Sequence, residues 1–239
     1  MSSSNNYEIT LLEARKLFLC FGQAAMIEKF SLKHDEQYLY LEMLGQLHRI
    51  DRTTGMVEWL DAENVPHEAD FNASLSIYDV LCCSRLGCTL TGQYAPINSV
   101  ANNYHTGNLG GSIFDACAPV FSDHPDLLEK ALIALGGIKE GKGDIAYRIN
   151  LFPFLPVQIQ FWEADEDFPA SLQIHWDLNT LQFLRYETTY YAAGHLLHRL
   201  RELMGEFNKC AAFAAYCTQG GAIHGYDFYR QGTHHRPRG

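Results

Sequence analysis

The chain has 239 residues, of which 47% are hydrophobic and 19% are charged, and it carries a formal net charge of -10. A chain of this length can form a hydrophobic core without stabilising disulfides or metal ions. The composition is that of a globular protein and excludes disorder of the whole chain. The 18 Lys and Arg residues form no run, and the negative net charge repels a phosphate backbone, which excludes nucleic acid as the expected partner. No stretch has the length of an apolar membrane span, and residues 1–6 lack the pattern of a signal peptide, so we expect a cytoplasmic protein without a membrane segment.

The first third of the chain is predicted to form helix followed by strands. Apolar residues recur at helical spacing from Tyr7 to about Phe30, which predicts one amphipathic helix or two short ones. Short turns then separate three apolar segments, at 38–44, 47–50 and 56–60. These short turns predict an antiparallel meander of three strands.

The middle of the chain combines predicted helices with a long irregular segment. Ser74 is placed to cap a helix that Gly87 would end. The segment 89–112 is rich in Asn and Gly, and a loop of this length in a compact domain is usually functional or mobile. Two helices are predicted to follow, around 113–121 and 126–135.

A second group of strands is indicated by strict alternation of apolar and polar residues at 145–149, 157–162 and 172–176. We predict that the last two segments are adjacent antiparallel strands, with Val157, Ile159 and Phe161 facing the core.

The predicted elements end with helices. A long helix is predicted at 185–204 with its leucines on the buried side, and an Ala-rich helix and a tail are predicted beyond it. Because no repeat or linker separates the two groups of strands, they are expected to join in one sheet. The predicted fold is therefore α+β, a mostly antiparallel sheet flanked by helices in a single domain. Its parts are an N-terminal helical segment (1–35), a core (36–204) and a C-terminal helix with a tail (205–239).

The densest group of chemical side chains is an acidic connection between two of the later strands. It contains Asp165, Glu166 and Asp167, and the return strand adds His175 and Asp177. Clustered carboxylates bind hard cations or supply acid and base groups, although a solvated acidic loop has the same sequence pattern. The aromatic neighbours predict an ordered loop in which Asp165 and Asp177 are partly buried and paired.

These residues resemble the bacterial domain-of-unknown-function family DUF3786. The resemblance covers roughly 36–203, and it rests on the segment 151–157, Phe161-Trp162, Asp165-Glu166, Phe168-Pro169-Ala170 and Asp177, with upstream blocks at Leu90-Thr91-Gly92, Gly110-Gly111-Ser112 and Gly143-Asp144. It implies a link to anaerobic corrinoid or iron–sulfur metabolism, because some members carry an iron–sulfur domain like that of corrinoid proteins. This chain has no four-cysteine motif, so electron transfer would need a partner.

Other candidates are weaker. Gly110 and Gly111 precede Ser112 and a predicted helix, and they would form an anion-binding helix start, although the lysine of a phosphate loop is missing. His195 and His198 lie three apart on the predicted exposed face of the long helix, where they would share a metal or simply be solvated.

The seven cysteines have no framework spacing, which predicts free thiols. Cys82, Cys83 and Cys88 match no common metal site and are predicted to be small core residues without a bound cluster.

Two functions remain open from the sequence. The first is an accessory protein that binds a small ligand or cofactor between the loop that begins near Thr91 and the acidic hairpin, with a small molecule or a partner protein as its partner. The second is a metal-assisted hydrolase or transferase that uses the carboxylates and His175. A third interpretation is purely structural: the acidic block is a capping device and the surface is a protein-interaction face. The residues do not identify the cofactor or the substrate.

Overall fold

The computed structural model describes residues 3–101, 114 and 117–205. Within them the chain forms two antiparallel five-stranded sheets and seven α-helices. The predicted α+β class with antiparallel strands is therefore confirmed. The segment 102–113, with Gly110, Gly111 and Ser112, lies outside the described residues, as do the Ala-rich segment and the tail beyond Gly205.

The first sheet has the strand order β1-β2-β3-β4-β5. Its strands are β1 (Lys33–His34), β2 (Tyr38–Met43), β3 (Gln46–Asp51), β4 (Val57–Leu60) and β5 (Pro66–Glu68). The predicted meander forms its centre. Leu44 and Gly45 make the β2–β3 turn with φ values of 50° and 69°, the left-handed pair that matches the twist of a two-residue hairpin.

The second sheet has the order β6-β10-β9-β8-β7. Its strands are β6 (Tyr94–Pro96), β7 (Ile138–Lys139), β8 (Ile145–Phe152), β9 (Leu155–Trp162) and β10 (Ser171–Asp177). β9 and β10 pair antiparallel, and Val157, Ile159 and Phe161 are fully buried, which confirms that prediction.

The expectation of one joined sheet is wrong. Instead the chain forms two sheets, which are connected where the backbone N–H of Leu44 donates a hydrogen bond to the carbonyl of Leu151 at 3.0 Å. Leu44 is buried there, so apolar contacts and this bond offset the cost of its left-handed backbone.

The N-terminal part forms two helices, α1 (Ser3–Cys20) and α2 (Gln23–Phe30). α3 (Phe71–Cys83) is capped by Asp70, whose carboxylate accepts a hydrogen bond from the Ala73 N–H at 2.8 Å. The predicted cap, Ser74, lies inside the helix and is buried, because the helix starts one turn earlier than its apolar pattern indicated. α3 also ends at Cys83, before Gly87.

The later helices are α4 (Ile97–Val100), α5 (Ala118–Ser122), α6 (Pro125–Ala134) and α7 (Tyr186–Leu203). α7 packs against α3 and α6. Its start is fixed by Asp79 on α3, which is 1% exposed and accepts hydrogen bonds from the backbone N–H and from Nε of Arg185 at 2.8 Å and 2.5 Å. No described helix is apolar over a stretch long enough to cross a membrane.

Candidate functional site

A cavity of about 180 Å³ lies between the first sheet and helix α7. The strands contribute Gln46, His48, Trp59 and Glu68, the start of α3 contributes Asp70 and Ala73, and α7 contributes His195, His198, Arg199 and Glu202. A cavity of about 150 Å³ is enough to hold a benzene molecule, so this space has the size of a small metabolite.

His48 and Ile50 are two residues apart on β3 and therefore lie on the same, inward face of the strand, which brings His48 to the cavity. His48 is fully buried. Its Nδ1 lies 3.0 Å from the Gln46 carbonyl oxygen. A carbonyl oxygen only accepts, so Nδ1 carries the proton and donates it. Burial, and then the nearby His195, lower the pKa of His48 to about 4. The ring is therefore neutral at pH 7, and its Nε2 holds a lone pair.

His195 comes from α7 and is 3% exposed. Its Nδ1 lies 2.6 Å from Oδ2 of Asp70, the residue that caps α3. The Asp70 side chain is 42% exposed, and its partial desolvation alone would raise its pKa. The hydrogen bond from His195, the charge of that ring when protonated, and the Ala73 N–H outweigh this effect and lower the pKa of Asp70 to about 2. Asp70 is thus ionised and accepts a hydrogen bond from the Nδ1–H of His195, as in the carboxylate–imidazole pairs that orient functional histidines.

The two rings share one property: the Nε2 atoms of His48 and His195 are both buried and have no hydrogen-bond partner among the described residues. The ring centroids are 6.3 Å apart. Buried polar atoms are nearly always paired in folded proteins, and an unpaired one costs about 1–3 kcal/mol. Nε of Arg199 is a third such atom among the residues that line this cavity. The lining therefore combines several buried polar atoms that a bound molecule could satisfy.

The outer part of the cavity is charged. Nε2 of His198 lies 3.4 Å from Oε1 of Glu202, and Arg199 donates a hydrogen bond to the other oxygen of Glu202. The hydrogen bond that His198 donates to Glu202 outweighs burial and raises the pKa of His198. Burial would raise the pKa of Glu202, but its bonds to His198 and Arg199 lower it. Glu202 is thus a carboxylate at pH 7.

Of the acidic hairpin, Asp165, Glu166 and Asp167 are all exposed. Oδ1 of Asp165 accepts hydrogen bonds from the backbone N–H groups of Asp167 and Phe168 at 2.9 Å and 2.7 Å. This is a local turn closed by an Asp side chain. The prediction that Asp165 is partly buried is therefore wrong, although its predicted pairing with backbone N–H groups is found.

Asp177 is fully buried, which confirms its predicted burial. Its carboxylate accepts hydrogen bonds from the backbone N–H groups of Thr91, Gly92 and Asn179 and from the Thr91 hydroxyl, at 2.7–3.2 Å. The structure thus places Thr91 beside Asp177. Their bonds to each other fix the loop to the end of β10.

His175 lies on the polar face of β10. Nε2 of Gln160 only donates, so it donates to Nδ1 of His175 at 3.3 Å, and Nε2 of His175 donates to Gln173 at 3.0 Å. Burial lowers the pKa of His175. The ring is a neutral member of a polar row on the second sheet.

The predicted exposure of His195 is wrong, because α7 is covered by the first sheet as well as by the helices. His195 and His198 each bond to a carboxylate of their own, and their ring centroids are 6.5 Å apart. Within the described part of the chain, no three His, Cys, Asp or Glu side chains are grouped to hold a metal ion.

Five cysteines fall in the described residues, and all are free thiols: Cys20, Cys82, Cys83, Cys88 and Cys117. Burial raises the pKa of Cys82 and raises that of Cys83 to about 12. The absence of a cluster at Cys82, Cys83 and Cys88 stays a prediction.

The sequence did not single out His48 or Asp70. The sequence contained a signal for the position of each residue. His48 is two residues before Ile50 in a predicted strand and so shares a face with an apolar residue, and Asp70 immediately precedes the helix Phe71–Cys83. Their meeting with His195 could not be foreseen, because it depends on how the first sheet packs on α7.

The family model described as Domain of unknown function (DUF3786) matches residues 23–199. The chain belongs to this family. The DUF3786 match includes both sheets and the cavity residues from Gln46 to Arg199. No curated protein and no solved structure matches the chain significantly.

Proposed function

We propose that this DUF3786 protein is a binding or accessory protein that holds a small polar molecule in the cavity between the first sheet and α7. The observation that carries the proposal is the pair of buried Nε2 atoms of His48 and His195, which lack a partner among the described residues. A molecule that hydrogen-bonds to both would remove the cost of leaving them unpaired.

The fixed orientation of the two rings supports the same function. The Gln46 carbonyl holds Nδ1 of His48, and the Asp70 carboxylate holds Nδ1 of His195. Neither ring has to be reoriented when a ligand enters, so little ordering entropy is lost on binding.

The alternative, a metal-assisted hydrolase or transferase centred on the acidic hairpin, has less support. Asp165 is exposed and bonded to its own turn, and Asp177 is engaged by backbone N–H groups and the Thr91 hydroxyl. The link to corrinoid or iron–sulfur metabolism and the cytoplasmic location stay predictions.

The test is native mass spectrometry of the protein purified without oxygen, combined with a screen of small metabolites by thermal unfolding. We expect a small molecule to remain bound or to raise the Tm, since a ligand present at 100 times its Kd stabilises a protein by about 2.7 kcal/mol. The effect should be lost in His48→Leu and in His195→Gln. It should persist in His34→Ala, which changes an exposed histidine of β1 away from the cavity lining. Binding that survives both cavity variants would contradict the proposal.

A further inference from the structure

The character of the ligand follows from which atoms the cavity offers. Nδ1 of His48 donates to a carbonyl 3.0 Å away, so Nε2 of the neutral ring presents a lone pair. Nδ1 of His195 donates to Asp70 at 2.6 Å, so Nε2 of the neutral ring is likewise an acceptor, and a bound donor group favours that neutral form over the imidazolium. With both rings neutral, the lining offers two neighbouring acceptors, which call for a ligand that carries N–H or O–H donors.

The charges of the lining favour a cationic ligand. Three acidic residues, Glu68, Asp70 and Glu202, line the cavity, whereas Arg199 is the only guanidinium among the described lining residues. Arg199 donates to Glu202 through Nη1, and its Nε is a further buried donor without a partner among the described residues. Glu68 forms no ion pair with any described residue. An anion entering the cavity would meet this uncompensated negative charge, whereas a cation would be attracted by it.

The aromatic side chain of Trp59 in the lining also favours a cationic ligand. Trp59 is the direct cross-strand partner of His48, so the two side chains lie on the same face of the first sheet. The indole is held by stacking on His67, with ring centroids 4.4 Å apart, and His67 is held by Asp61 at 2.8 Å. The electron-rich face of an indole is the best aromatic surface for a cation.

We propose that the cavity recognises a small organic cation with N–H donors, of the primary ammonium class, which donates to Nε2 of His48 and of His195 while Glu68 and Trp59 compensate its charge. This proposal rests on the proposed function, because it identifies the ligand class of the same cavity. The cavity volume of about 180 Å³ fits such a molecule and exceeds what a single metal ion would fill.

The experiment compares three probes by isothermal titration calorimetry at pH 7.5 and constant ionic strength. Butylammonium and tetramethylammonium are isomers of equal charge, but only butylammonium has N–H donors; butyrate carries the opposite charge. We expect butylammonium to bind with one-to-one stoichiometry, tetramethylammonium to bind at least about tenfold more weakly, and butyrate not to bind.

Variants locate the binding. His48→Leu should weaken butylammonium binding about tenfold to a hundredfold, because a hydrogen bond to a charged donor is lost. Glu68→Gln changes an exposed side chain, so it should leave the fold intact and weaken binding about twofold to fivefold. His34→Ala should bind butylammonium like the unchanged protein.

Three results would overturn the proposal: tetramethylammonium or butyrate binding as tightly as butylammonium, butylammonium affinity unchanged in both His48→Leu and Glu68→Gln, or stoichiometric Zn²⁺ binding that excludes butylammonium. If native mass spectrometry then finds an anion or a neutral molecule whose retention depends on His48, the ligand class is wrong but the proposed function stands. If nothing is retained and no probe binds, both are wrong.

Discussion

Asp70 connects helix α3 with His195, which lies 125 positions further along the chain: its Oδ1 accepts from the Ala73 N–H at 2.8 Å, and its Oδ2 accepts from Nδ1 of His195 at 2.6 Å. One carboxylate therefore starts a helix and orients an imidazole of the cavity. The two roles use different oxygens, so they can be separated by substitution.

The first prediction separates them. Asp70→Ala removes both bonds and should lower the free energy of unfolding by about 1–2 kcal/mol through the lost cap. Asp70→Asn keeps a good capping side chain and should lose less than half of that, but it removes the charge that holds the Nδ1 proton of His195. Urea unfolding at pH 7 measures the first effect, and ligand binding, which should fall in both variants, measures the second. Equal destabilisation by Ala and Asn would show that Asp70 does not act as a cap.

The second prediction concerns acid stability and His48. The folded-state pKa of about 4 is below the ordinary value of 6.5, so between these two pH values the unfolded chain binds more protons than the folded one. The stabilisation is fully present above about pH 6.5 and is lost as the pH falls towards 4, by roughly 3 kcal/mol. His198 has the opposite sign, since its pKa is raised and its contribution is lost as the pH rises.

Urea unfolding at several pH values between 7 and 4 tests this for the unchanged protein and for His48→Leu, which should lose distinctly less stability over that interval. Asp70 does not obscure the comparison. Its pKa is about 2 in the folded protein and its ordinary value is 3.8, so both values lie below the pH interval that is measured. The same pH slope in both proteins would mean that the ring of His48 is not held neutral by the fold.

The third prediction contrasts two aspartates of the second sheet. Asp177 is fully buried and receives hydrogen bonds from three backbone N–H groups and one hydroxyl, so Asp177→Ala should cost roughly 3–5 kcal/mol by leaving these donors unpaired. Asp165→Asn changes an exposed turn residue and should alter stability by less than about 0.5 kcal/mol. Thermal and urea unfolding of both variants provide the measurement. A loss of ligand binding in Asp165→Asn at unchanged stability would restore the acidic hairpin as the site.

The fourth prediction concerns thiol reactivity. Burial, followed by the charge of Asp79, raises the pKa of Cys83 from 9.0 to about 12, which reduces its thiolate fraction near pH 8 about a thousandfold. Cys20 is exposed. Iodoacetamide labelling of the native protein, followed by peptide mass spectrometry, should modify Cys20 long before Cys82 and Cys83, and all three should react at similar rates in denaturant. Equal rates in the native protein would contradict the burial of Cys82 and the partial burial of Cys83.

The elements that were predicted correctly depend on local pattern. Val157, Ile159 and Phe161 alternate with polar residues, and this alternation identifies the apolar face of β9, although Gln158 and Gln160 on the other face are buried as well. The exposure of His195 was predicted wrongly for the opposite reason. A helical pattern identifies the most apolar face, but it does not reveal a second surface, here the first sheet, that covers a polar face as well. The acidic hairpin attracted interest because its carboxylates are adjacent in sequence, whereas His48, Asp70 and His195 become neighbours only in the folded chain.

The cavity walls come from widely separated parts of the chain: His48 and Trp59 from the first sheet, and His195 from the last described helix. During synthesis the first sheet leaves the ribosome well before α7 exists to cover it. The imidazole of His48 then faces water, which satisfies Nε2 and gives the ring an ordinary affinity for protons. The bond from Nδ1 to the Gln46 carbonyl lies within β3 and can form with the sheet, but Nε2 loses its contact with water only when α7 packs over the sheet. The low proton affinity of His48 is therefore a property of the assembled fold and not of the first sheet alone.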